Sequence, residues 1–197
     1  MTTGFVTGVV LAAGVSRRLG TPKQLLPYRN TTVLGATLEA VRTCAFDQTI
    51  VTLGGAAAAV RQRVDLAGLE VAFAEDFGSG CSSSLRSALR AVDPRAAGIV
   101  LMLGDQPGLS AATVDRLIAE GTSTAITVCR YRDGVGHPFW LGRSVFGELA
   151  RLHGDKGVWK IIESGRVAVA RVDVDAPVPV DVDTWDDYVR LLAATSP

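Results

Sequence analysis

The stretch VVLAAGVSRRLGTPKQLLPY, Val9 to Tyr28, decides how this chain is read. It begins apolar, breaks into the small residues Ala12, Ala13 and Gly14, and then turns basic at Arg17, Arg18 and Lys23. A short apolar run closed by glycine reads as a buried strand. In an open α/β sheet, ligands bind beyond the carboxyl ends of the strands, so the loop from Ala12 to Lys23 falls at the ligand edge. Small residues let a ligand approach backbone N–H groups, and several such groups in one turn form an anion-binding concavity. Arginine adds a planar fork that matches phosphate oxygens. The stretch is therefore expected to be a strand that delivers a polyphosphate-binding loop. A plain glycine turn with solvated arginines is the competing reading of its composition. Neither GxxxxGK[ST] nor GxGxxG is present, so this is not a P-loop or an ordinary dinucleotide loop.

The 197 residues suffice for a substantial core and are expected to form one domain, 1–197. Twenty Lys and Arg balance twenty Asp and Glu. Nucleic acid is not an expected partner, because bulk binding of it calls for a basic excess. The start, MTTGFVTG, lacks the basic residues and apolar core of a signal peptide. No uncharged apolar run approaches the roughly 18 residues of a membrane span. A cytoplasmic protein without a membrane partner is expected. Cys44, Cys81 and Cys129 show no CxxC spacing, which argues against a metal cluster or a disulfide framework.

Short apolar runs alternate with helical periodicity, the pattern of a sheet with helices on both faces. Strands are expected at Phe5–Ala12, Thr49–Leu53, Leu69–Ala74, Ile99–Leu103, Ala125–Cys129 and near Val167–Val172. Leu34, Leu38 and Val41 mark one helix, and Leu85, Ala88, Leu89 and Val92 a second. Val114, Leu117 and Ile118 mark a third, capped by Ser110, and Thr184 caps a closing helix. RYRDGVGHPFWLG is rich in turn residues and reads as a loop with an extended segment. A helix through Val145, Phe146, Leu149 and Leu152 is expected to follow. Residues near 130–165 form an appended, irregular region.

LAAGVSRRLGTPKQLLP resembles the signature LAAGxSxRMGxxKxLLP of the MobA-like nucleotidyltransferases and is most similar to the molybdenum-cofactor cytidylyltransferase branch. Leu19 stands where methionine is usual. Three further segments, EDFGSGCSSSLRSAL, VLMLGDQPGLS and PVDVDTWDD, resemble later motifs of the same superfamily, as do GHP at His137 and GDKG at Gly154. The matches run from Val9 to Tyr188. The resemblance implies a three-layer, Rossmann-like, mostly parallel sheet of the nucleotide-diphospho-sugar transferase type.

It also implies a reaction, in which CMP passes from CTP to a phosphorylated acceptor, most simply molybdopterin cofactor, with release of pyrophosphate. Leu11, Ala12, Ala13, Gly14, Ser16, Arg18, Lys23, Gly80, Ser83, Ser84 and Asp105 are the implied nucleotide contacts. Ser84 is the implied base contact, with Ser82 near it. Arg18, Lys23 and Asp105 are the implied catalytic groups. Mg²⁺ is the implied cofactor, held by Asp105 with Asp181 or Asp183. These last two are expected to face opposite ways on an extended segment, with Asp181 favoured. His137, Asp155 and Lys156 are the implied acceptor contacts. Trp140 and Trp159 are expected to be core, and Cys81 to act as a small apolar residue. Guanylyltransferases of the superfamily usually carry LAGG; the Ala13 methyl here narrows the space for a base and favours a pyrimidine over GTP. A molybdoenzyme that receives the product is an implied partner. The alternatives are a guanylyltransferase that uses GTP, a cytidylyltransferase for another phosphorylated metabolite, an NAD(P)-dependent oxidoreductase, which lacks its fingerprint here, and a non-catalytic cofactor chaperone.

Overall fold

The computed structural model describes residues 4–154 and 156–194. Its sheet is built from β-branched runs too short to be buried helices. These are β1 (Val6–Ala12), β4 (Gln48–Leu53), β5 (Glu70–Phe73), β6 (Gly98–Leu103), β7 (Ile126–Arg130), β8 (Val135–Gly142) and β9 (Val169–Asp173). A separate small hairpin pairs β2 (Pro27–Tyr28) with β3 (Thr31–Thr32). The strand order is β5-β4-β1-β6-β8-β7-β9. The first four strands run parallel, and β7 and β9 are parallel to each other. Only β8 is antiparallel to both of its neighbours, β6 and β7.

Both faces of this sheet are apolar, so both must be covered. On one face α1 (Val33–Val41), α2 (Ala57–Arg63) and α4 (Ala111–Gly121) bring Leu34, Leu38, Val60, Val114 and Leu117 against Val10, Val51 and Val100. On the other, α3 (Cys81–Ala91), α5 (Phe146–Leu149) and α6 (Trp159–Ser164) set Leu85, Leu149 and Ile161 against Val9, Ile50 and Leu101. The last helix, α7 (Trp185–Ala193), stands apart and closes a small cluster of Leu19, Leu26, Tyr28, Val33, Val182 and Leu191. Thr184 caps it as expected, in a reciprocal arrangement with Asp187. Ser110 occupies the N-cap position of α4, but only its backbone carbonyl takes part, accepting from Val114 N–H.

The largest departure from expectation lies after β7. Only 131–134 form a turn, and the GHPFWLG segment is a central strand, β8, with Phe139, Trp140 and Leu141 fully buried. Glycine, proline and histidine hid the apolar run. The ladder with β7 slips at this point, from Val128 opposite Phe139 to Cys129 opposite Gly136, so His137 and Pro138 are the bulged residues. The helix expected through Leu152 is also shorter, a 3-10 turn (Arg143–Val145) running into the single turn of α5. Between β9 and α7, residues 174–184 form neither strand nor helix.

Trp140 shows how tightly the two halves of the sheet are joined. Its indole fills the space left by two glycines, and its N–H donates to the Thr124 carbonyl at 3.2 Å. A Cβ on Gly121 would meet Trp140 Cγ at 2.4 Å, whereas one on Gly147 would meet nothing. A buried indole has no room to retreat, and overpacking of this kind costs about 1–3 kcal/mol. Gly121→Ala is thus expected to lower unfolding free energy by about that amount in a urea titration, with Gly147→Ala as the neutral control.

Candidate functional site

A cleft of about 520 Å³ opens where β1 and β6 end, lined by the loop after β1, the start of α3, Leu103–Asp105, and Asp181 and Asp183. Loop geometry follows from its smallest residues. Gly20 and Ser16 both take left-handed backbone, with φ of 68° and 53°. Ser16 Oγ accepts the Lys23 N–H at 2.9 Å, and the Ser16 carbonyl accepts from Leu19 and Gly20 N–H at 3.1 Å. The loop folds back on itself and hands Lys23 to the cleft. Leu19 is buried beside Val182 in the cluster under α7, so the loop and the Asp181–Asp183 segment share one apolar anchor.

Lys23 is the hub of the charges. Its Nζ lies 2.5 Å from Asp105 Oδ2 and 2.9 Å from Asp183 Oδ1, and Arg18 Nη2 lies 2.8 Å from the other Asp183 oxygen. Desolvation alone would lower the Lys23 pKa, but the charges and hydrogen bonds of Asp105 and Asp183 outweigh it, and the net shift is upward. Desolvation likewise opposes ionisation of Asp183, yet Lys23 and Arg18 together hold its carboxyl below the usual range. Asp181 differs. Desolvation of its carboxyl, followed by the negative charge of Asp105, pushes it up to about 6, although Gln106 Nε2 donates to its Oδ1.

The expectation that Asp181 and Asp183 diverge is wrong. Residues i and i+2 of an extended chain share a side. Both line the cleft, while Val182 between them is fully buried. Most of the expected nucleotide contacts meet in the same cleft. Leu11, Ala12, Ala13, Gly14, Ser16, Arg18, Lys23, Gly80, Ser84 and Asp105 all line it. Ser83 does not; it is buried in the first turn of α3. Ser82 is buried as well, and its Oγ donates to the Gly154 carbonyl at 2.6 Å, which pins the GDKG turn to the start of α3. Cys81 is exposed and lines the cleft, where packing as a small apolar residue was expected.

The acceptor contacts are less gathered. His137 sits at the same sheet edge but is not among the cleft-lining residues; its ring stacks on Phe139 at 4.1 Å, and desolvation pushes its pKa down to about 4. It is a neutral imidazole, which makes it a hydrogen-bonding group and not a phosphate counter-charge. Trp159 meets Phe139 edge-on at 5.3 Å. Lys156 is turned to Glu163 at 3.0 Å and does not line the cleft. Asp155 lies outside the described residues. Three residues that line or border the cleft had no place in the sequence reading. Phe77 lines the cleft, Gln106 holds Asp181, and Gln24 is buried beneath the loop. Only the position of Gln24 directly after Lys23 offered a signal.

Among the described residues no three Asp, Glu, His or Cys side chains cluster closely enough to hold a metal ion alone. A hard divalent cation keeps waters and can be held by one or two carboxylates plus substrate phosphates. The Asp105–Asp181 pair fits, since their mutual repulsion is what a cation would relieve.

Residues 8–172 match the MobA-like NTP transferase domain. The chain belongs to that family. Within it, this protein is 32% identical to the nicotine blue oxidoreductase of Paenarthrobacter nicotinovorans over 95% of this chain and 96% of that one. It is 65% identical to Rv0371c of Mycobacterium tuberculosis H37Rv, whose crystal structure covers 98% of this chain and 100% of its own with a TM-score of 0.93. A manganese complex of Rv0371c matches with 62% identity, a TM-score of 0.89, and coverage of 97% and 100%. The present protein is accordingly a nucleotidyltransferase-family member of mostly parallel sheet. Among its described residues no helix is long and apolar enough to cross a membrane.

Two outcomes test the electrostatics. Lys23 occupies carboxylates that a metal would use, so Lys23→Met is expected to bind Mn²⁺ more tightly than the native protein when no nucleotide is present, by calorimetry. A proton on Asp181 competes with the cation, and below about pH 6 that proton is bound. Mn²⁺ affinity of the native protein is therefore expected to fall as pH drops from 7 to 5, and a flat profile would remove Asp181 from the metal site.

Proposed function

We propose that this protein transfers CMP from CTP to a phosphorylated acceptor, with molybdopterin cofactor as the acceptor and pyrophosphate as the leaving group. The observation that carries the reading is Lys23, bonded to both Asp105 and Asp183 at the foot of a loop that lines the cleft with Ala12, Ala13 and Gly14. A phosphate oxygen of the acceptor attacks the α-phosphorus, and the bond to the bridging oxygen breaks with its electron pair leaving on pyrophosphate. A phosphate monoester is already largely ionised near neutral pH, so the step calls for positioning and charge neutralisation more than for a base.

Lys23 and Arg18 supply fixed positive charge for the polyphosphate and for the departing pyrophosphate. Ser84, at the first turn of α3, offers a hydroxyl to the base, and the Ala13 methyl supports the smaller pyrimidine. Asp105 and Asp181 would hold a divalent metal, Mg²⁺ in this reading, which supplies Lewis-acid charge at the phosphates when bound. His137, which is neutral, suits a hydrogen bond to a flat heterocycle. Lys156 and Asp155 belong to the segment tied to α3 through Gly154, and in this reading that segment borders the acceptor. Residues 1–197 act as one domain in the cytoplasm, and a molybdoenzyme receives the product.

One observation favours a second reading. The relative from Paenarthrobacter nicotinovorans, similar over nearly its whole length, is named an oxidoreductase. A cleft that accepts a nucleotide polyphosphate also suits the pyrophosphate of a nicotinamide dinucleotide. Pyrophosphate release separates the two. Release that needs CTP, Mg²⁺ and molybdopterin cofactor together establishes the transferase reading, whereas NADH oxidation without pyrophosphate establishes the other. In the transferase assay Asp105→Asn is expected to remain folded by circular dichroism and to lose turnover by about 10²–10³-fold.

A further inference from the structure

We infer that Gln24 is the positioning residue that holds the anion cradle open. Each of the four carbonyls from Leu11 to Gly14 is met by another part of the protein. Leu11 O accepts from Gly104 N–H at 2.9 Å. Ala13 O lies so close to Gly54 that a Cβ there would be 2.6 Å away. The remaining two, Ala12 O and Gly14 O, are both taken by one group, the Gln24 Nε2 amide, at 2.8 and 2.9 Å.

A peptide plane whose oxygen points inward turns its N–H the opposite way. The N–H groups of Ala13, Gly14 and Val15 have no acceptor among the described residues, and all three residues line the cleft. Unpaired donors in succession are what an anion-binding concavity requires. Gln24 holds the Ala12–Ala13 and Gly14–Val15 planes, so it brackets the residue whose methyl faces the base in the reading above.

The same side chain is a poor choice for packing. Gln24 is only 3% exposed, and its Oε1 is buried with no hydrogen-bond donor among the described residues. Leaving a buried acceptor unmade is unfavourable, and an apolar residue of the same shape would avoid that. What an apolar residue lacks is the amide N–H pair. Gln24 therefore touches no reacting atom and acts through the loop that it clamps.

This rests on the loop binding a nucleotide polyphosphate, and the test uses a probe that needs no base. Binding of Mg²⁺–tripolyphosphate is measured by calorimetry for the native protein, Gln24→Met and Gln24→Asn, with the melting temperature of each. Gln24→Met removes the unpaired Oε1 but also strips Ala12 O and Gly14 O of their donor. It is therefore expected to melt modestly below the native protein and to bind the probe roughly tenfold more weakly or worse, the size of one or two charge-assisted hydrogen bonds misaimed. Gln24→Asn keeps a donor one methylene short and is expected to fall between. Equal affinity in all three overturns the inference. So does a weaker affinity that merely follows a collapse in melting temperature, which would make Gln24 a core residue only. A native protein that does not bind the probe overturns the polyphosphate reading along with it, whereas native binding with an unaffected Met variant overturns the role of Gln24 alone.

Discussion

Lys23 stands between Asp105 and Asp183, two carboxylates brought to the cleft by unrelated parts of the chain. Asp105 arrives at the end of a central strand, and Asp183 on the extended segment before the last helix. Without a cation between them the two would repel each other across a partly desolvated space. With it, the end of β6, the loop after β1 and the segment leading to α7 are drawn to one point. The apolar cluster of Leu19, Val182 and Leu191 supports that point from below. Electrostatics at the mouth and burial beneath it thus agree on one arrangement, the consistency expected of a site assembled from distant segments.

In the proposed reading that arrangement also couples the two ligands to each other. A single ammonium occupies the carboxylates that a divalent cation would take, and the same ammonium is wanted by a polyphosphate. Cation and polyphosphate arriving together satisfy every charge at once, while either alone leaves one sign in excess. The 3-10 turn of Lys23–Leu25 carries both functions in adjacent residues, the charge on Lys23 and the loop clamp on Gln24.

Much of this was legible in the sequence. Runs such as Val9–Leu11 and Ile99–Leu103 read as central strands, which puts Asp105 and the loop that carries Lys23 at the ligand edge, while the roles of the two residues are what the family resemblance implies. Strand β8 was not legible, because Gly136, His137 and Pro138 carry turn chemistry in a segment that becomes sheet only when β6 and β7 offer it edges. Gln24 was invisible for a different reason. Its role lies in backbone carbonyls it meets ten and twelve residues away, and no local pattern encodes that. Asp181 and Asp183 were misread through their spacing, which in extended chain brings side chains together.

The reversed direction of β8 has a consequence for how this scaffold can change. Parallel strands put their carboxyl ends at the ligand edge, but β8 presents its amino end there, preceded by the turn at 131–134. The sheet therefore has a seam between β6 and β8. On one side lie the loop after β1 and the strand that carries Asp105, and on the other lies the stretch that carries His137, Trp159 and the turn at Gly154. Variation beyond the seam can alter what is presented to the nucleotide while the loop, Lys23 and Asp105 keep their geometry. Beyond the β6–β8 ladder itself, contacts such as Trp140 wedged against Gly98 and Ser82 tied to the Gly154 carbonyl cross it and limit that freedom. A lineage drifting toward a new acceptor would be expected to hold those two contacts fixed and let the rest diverge.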